Sequence, residues 1–77
     1  MNRARRKRLQ EILDQIEFLQ MDVNTVRDEE QDAYDNLPES IQYSERGEQM
    51  QEYADHIEEA YQSLQEAIDT LYDIIEG

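Results

Sequence analysis

Carboxylates dominate the residues of this chain that are equipped to do chemistry. Glu45, Glu48, Glu52, Asp55, Glu59, Glu66, Asp69, Asp73 and Glu76 recur at steps of three and four residues, with Gln62 as the one interruption. On an α-helix that spacing gathers them into a single stripe, with about one charge per 5 Å of axis. Such a stripe steers and selects basic partners and repels polyanions. Over both long segments and the turn between them, the 20 acidic residues spread along roughly 45–50 Å of rod, or near one per 2.4 Å, against about one per 1.7 Å on duplex DNA. A rod charged that densely competes for a surface built to hold nucleic acid. The plainer reading of the same stripe is a solvated outer helix face.

The opposite charge is concentrated at one end. Arg3, Arg5, Arg6, Lys7 and Arg8 supply five of the seven basic residues. From Leu9 onward only Arg27 and Arg46 oppose all 20 acids, so that segment carries −18 within an overall −13. The chain is therefore a basic arm on an acidic body. The arm has two readings: it pairs with acids of the second helix or of a neighbouring subunit, or it contacts phosphates in a salt-dependent way. The acidic body opposes the phosphate reading, and no aromatic residue is interleaved in the arm to stack on bases.

Covalent and acid–base chemistry find little here. His56 is the single histidine and there is no cysteine, so no serine–histidine–acid group or thiolate nucleophile is in view and no catalytic residue is assigned. A di-iron bundle needs a Glu-x-x-His pair from each of two helices, and the run Asp28-Glu29-Glu30-Gln31-Asp32 lacks the glycine turn of a calcium loop. No metal ligand, no cofactor and no enzymatic activity are expected. No apolar run approaches the roughly 20 residues of a membrane span, and no leader opens the chain. Together with the lack of cysteine this points to a cytoplasmic protein.

These residues must be carried by helices. From Met50 to Ile75 the apolar residues follow a heptad: a positions Met50, Ile57, Leu64 and Leu71, d positions Tyr53, Ala60, Ala67 and Ile74. The e positions Ala54, Tyr61, Ile68 and Ile75 are apolar as well, which makes the stripe wider than one neighbour covers. The first half repeats the pattern with Leu9, Ile16, Val23 and Glu30 at a and Ile12, Leu19, Val26 and Ala33 at d, while Leu13 and Tyr34 widen it. Glu30 is the one charged seam residue, and it falls opposite Tyr53, whose hydroxyl is expected to satisfy it. On this spacing the carboxylate stripe occupies the outer c and f positions.

Asn36-Leu37-Pro38-Glu39 interrupts the pattern, because proline excludes helix at the preceding residue and lacks a backbone donor. The spacing predicts a first helix over about 3–35, a turn over 36–44 with its own short helical start, and a second helix over about 45–76. Leu37 and Ile41 should fold over the end as a lid, and Ser44 is the expected N-cap of the second helix. The whole reads as one domain, 1–77, an all-α antiparallel coiled-coil hairpin. Antiparallel pairing sets the basic arm beside Asp69, Asp73 and Glu76, where each offsets the other's unfavourable macrodipole position. A hairpin alone leaves part of its apolar stripes wet, so two hairpins are expected to dimerise into a four-helix bundle, or one to dock on a partner's apolar face.

The segment Ala33-Tyr34-Asp35-Asn36-Leu37-Pro38-Glu39-Ser40-Ile41-Gln42, with Ser44-Glu45-Arg46-Gly47-Glu48 after it, resembles the linker of small acidic helical proteins from prophages and mobile elements of Gram-positive gut bacteria. The Asn2-Arg3-Ala4-Arg5-Arg6-Lys7 opening and the Ala/Leu/Ile-rich tail are similar too. The resemblance brings no catalytic residues. It implies a mobile-element setting, in which a small acidic non-enzyme acts as an inhibitor of a host nucleic-acid-binding or defence complex.

Two functional readings follow. In the first, a DNA-mimic-like inhibitor presents Glu45, Glu48, Glu52, Asp55, Glu59, Glu66, Asp69 and Asp73 to a basic protein. In the second, a structural or regulatory subunit works through its apolar face, while Arg3, Arg5, Arg6, Lys7 and Arg8 contact nucleic acid.

Overall fold

A computed structural model describes residues 1–77 as three helices and no strands. They are α1 (Arg3–Asp35), α2 (Glu39–Gln42) and α3 (Glu45–Glu76). The long helices pack side by side as an antiparallel hairpin, a rod of 58 × 14 × 12 Å.

Each boundary has a local cause. Asn2 caps α1 in extended backbone (φ −77°, ψ 166°), and its side-chain oxygen accepts from the Arg5 N–H at 2.8 Å, satisfying one of the free donors of the first turn. At the far end the Asn36 amide donates to the Asp32 carbonyl at 2.9 Å, and Pro38 then bars continuation. The expected short helical start is α2, one turn with Leu37 and Ile41 half-buried above the end of the hairpin. The Gln42 amide ties this turn back to α1 through the carbonyls of Tyr34 and Asp35, at 3.2 and 3.3 Å.

Ser44 occupies the N-cap of α3 (φ −85°, ψ 170°), but its hydroxyl makes no cap bond. It donates instead to the Ile41 carbonyl, closing α2 rather than opening α3. Gly47 is buried where that turn crosses α3, and a Cβ there would overlap the carbonyl oxygens of Gln42 and Ile41. Only glycine permits so close a backbone approach.

The seam differs from the a/d expectation. On α3 its centre line is Gly47, Ala54, Tyr61, Ile68 and Ile75; on α1 it is Leu13, Gln20, Arg27 and Tyr34. These are e positions. The a residues Leu9, Ile16, Val23, Ile57, Leu64 and Leu71 lie half-buried on one flank. The b residues Gln10, Glu17, Gln31, Gln51, Glu58 and Gln65 flank the other side. Each helix is thus rolled by about one residue, and the d residues expected at the centre stand in the open.

Two features favour that roll. Small Ala54 is buried at e between the long helices, and glutamines on the b row hydrogen-bond across the seam, as they would not if d were central. The resulting core is slight. Leu13, Ala54 and Ile68 are its only buried apolar side chains, and of them only Leu13 is fully enclosed.

Candidate interaction surfaces

The roll gives the hairpin two unlike long faces. On the polar face the Gln20 amide donates to Gln65 Oε1 at 2.9 Å and to the Tyr61 carbonyl at 3.4 Å. Gln31 and Gln51 exchange bonds of 3.3 and 3.1 Å, and Arg27 Nε lies 3.3 Å from Glu58. The same glutamines also hold aspartates one turn on, with Gln31 to Asp35 at 3.1 Å, Gln51 to Asp55 at 3.2 Å and Gln65 to Asp69 at 2.9 Å. The Gln-x-x-x-Asp recurrence was visible in the sequence, and it marks the face on which side chains bond both along and across the helices.

Near the open end of this face Tyr72 stands beside Glu17. Hydrogen bonding to the Glu17 carboxylate, and then its charge, raise the Tyr72 phenol above 10.0, with smaller contributions from desolvation, Asp14 and Glu76. The pair stops short of a fully aligned bond, and Glu17 Oε1 is buried without a partner.

The other face is apolar and open. Ile12, Leu19, Val26, Tyr53 and Ile74 are between 41% and 57% exposed, all on the same side of the rod. Leu19, Val23, Val26, Ile57, Ala60 and Leu64 form a groove of about 590 Å³ in which Asp22 is the single polar residue. Toward the open end the face continues into a hollow lined by Met1, Arg5, Arg8, Leu9 and Ile12. Isolated exposed apolar residues are ordinary; here the exposed residues form a continuous stripe shared by two helices.

The carboxylate stripe is fully displayed. Glu45, Glu48, Glu52, Asp55, Glu59, Glu66, Asp69 and Asp73 are all exposed, and none forms an ion pair; the chain's two salt bridges both belong to Arg27, to Asp28 and Glu58. Their c and f positions place them on the back and polar sides of α3, away from the apolar groove.

The basic arm lies beside the end of α3, as antiparallel pairing requires, but its expected ion pairs with acids of that helix do not form. Arg6 donates to the Ile75 backbone carbonyl instead, meeting the negative end of α3 directly. Arg3, Arg5, Lys7 and Arg8 are exposed and unpaired. Glu30 is half-buried on the open flank, and Tyr53 extends into solvent without bonding it. The roll that opens the d row separates the two.

His56 is exposed. Nowhere do three histidine or carboxylate side chains converge to hold a metal ion, and no helix is long and apolar enough to cross a membrane. Comparison with protein families, with curated proteins and with solved structures found no match to this chain.

Proposed function

We propose that this chain is a non-enzymatic protein-interaction module whose working surface is the apolar face, and that the face closes on a second copy to make a four-helix bundle. One observation carries the reading: the d residues of both long helices stand exposed on the same side of the rod. Three buried apolar side chains are a small core for a chain of this size, and small domains commonly gain stability by association. A second copy supplies a face of the same length and the same apolar character, and self-complementary pairing is the commonest route to a closed assembly.

The test is solution mass with helicity measured alongside. The expected particle has twice the 9.2 kDa chain mass, and Leu19→Asp with Val26→Asp should halve it. A fully helical monomer at high micromolar concentration would overturn the reading.

A second reading is supported by the eight exposed carboxylates without cationic partners. In it the same rod, monomeric or paired, offers the α3 stripe to a basic nucleic-acid-binding protein as a DNA-like outline, in keeping with an inhibitor carried by a mobile element. The stripe points away from the apolar face, so both surfaces operate together. Displacement of labelled duplex DNA from a basic DNA-binding protein at low salt, lost on replacing Glu52, Asp55 and Glu59 with lysine, would support it. Equal displacement by the substituted chain would count against it.

A further inference from the structure

The order of charges along the apolar face says how a second copy lies on it. The outer rim of the face on α1 is formed by Arg8, Gln15, Asp22 and Glu29, seven residues apart. Arg8 lines the hollow at the open end, and Asp22 lines the central groove. The row therefore runs from positive to negative along the rod. The corresponding rim on α3 is Gln49, His56, Ser63 and Thr70, which carries no formal charge with His56 neutral.

Two twofold arrangements lay one such face on another. With the axis along the rods, α1 of each copy covers α3 of the other and like ends coincide. The charged rim then meets a neutral one. It also sets two turn ends side by side, each with nine carboxylates against Arg46 over residues 28–52, a balance of −8. With the axis across the rods at mid-length, α1 lies on α1 and α3 on α3, and the ends are exchanged. Each turn end then faces the arm end, residues 1–14 and 64–77, whose balance is only −1. On the rim, Arg8 of each copy comes opposite Glu29 of the other.

The apolar rows fit the second arrangement as well. Inverted about Leu19, the α1 row sets Ile12 on Val26 and Leu19 on itself. Inverted between Ala60 and Ala67, the α3 row sets Tyr53 on Ile74 and one alanine on the other. Those two centres stand at the same height of the rod. Leu19 shares its groove with Ala60 and Leu64, and Gln20 bonds Gln65 beside it. Both helices are thus self-complementary about one axis.

We infer that two copies pair antiparallel across this face, α1 on α1, with Arg8 of each subunit against Glu29 of the other. This deepens the self-pairing proposed above and rests on it. The charges set orientation and register while the apolar rows supply the attraction.

The absence of cysteine makes disulfide trapping clean. Ser63 is exposed on the rim next to the axis, so Ser63→Cys should oxidise to a self-linked dimer in the antiparallel pair. In the other arrangement Ser63→Cys faces the α1 rim, and links when mixed with Asp22→Cys but not with itself. Mass measurement on the unsubstituted chain separates the two levels. A monomer overturns the self-pairing and this inference together. A dimer with only the mixed Asp22→Cys/Ser63→Cys link overturns the orientation and leaves self-pairing standing. Arg8→Glu should weaken the dimer roughly tenfold through its two symmetry-related pairs, and Arg8→Glu with Glu29→Arg should recover most of that loss. A dissociation constant unmoved by the first change would overturn the Arg8–Glu29 contact.

Discussion

The Gln20 amide donates to the Gln65 side-chain carbonyl across the hairpin at 2.9 Å, and Gln20 is itself 7% exposed. A buried carboxamide keeps its place only while its bonds are made, so this pair opposes any other roll of the two helices about their own axes. With that roll set, the e residues meet and the d residues are turned out.

Gln20→Ala should lower stability by about 1–3 kcal/mol, since it opens a cavity in the seam and removes the cross-helix bond. Gln20→Leu fills the space without the bond. It should keep the helices packed yet let the d rows roll inward, so urea midpoints hold while the dimer fraction in light scattering falls.

Gly47→Ala should destabilise the chain by about 1–3 kcal/mol despite alanine's better helix propensity of about 1 kcal/mol. The added methyl group collides with backbone carbonyls of α2, which cannot swing aside as a long side chain does. Hydrogen exchange should show the loss first at Ile41 and Gln42.

Tyr72 titrates above 10.0 in the folded chain because of Glu17. The folded state therefore holds its proton where the unfolded chain releases it. The associated stability is complete below pH 10.0 and is lost as the pH climbs through the folded value. Glu17→Gln should bring the Tyr72 titration back toward 10.0 and flatten that alkaline decline. NMR titration of the Tyr72 ring, with denaturation at matched pH, reads both.

Leu64→Asp places a charge in the apolar groove, where one flank of Leu64 is already open, and should abolish dimerisation, with the melting point falling to that of the unsubstituted chain at high dilution. Replacing Glu52, Asp55 and Glu59 with lysine should leave mass and helicity unchanged. Were the lysine chain to dissociate and the Leu64→Asp chain to remain dimeric, the apolar face would not be the self-pairing surface.

The heptad spacing, the break at Pro38 and the wide stripe on the second helix carried the element boundaries and the antiparallel hairpin in the sequence. The outward-facing acids were legible too, since period alone settles which residues share a face. The roll was not. With a, d and e all apolar, periodicity leaves open which third of the stripe meets the neighbour. Gln20 and Gln65, with small Ala54 buried between the helices, favour one choice through bonds and packing that exist only in three dimensions. Ser44 illustrates the same limit at a cap: its position was readable, but whether its hydroxyl turns forward to α3 or back to Ile41 depends on the path of the intervening turn.

With so little apolar surface enclosed by one copy, shape and abundance become linked. If a second copy completes the core, dilution unfolds what crowding together preserves, and the melting point should climb with the logarithm of chain concentration. Scarce molecules would then be frayed and open to proteases, whereas plentiful ones shelter one another. A rod paired this way would register its own dose.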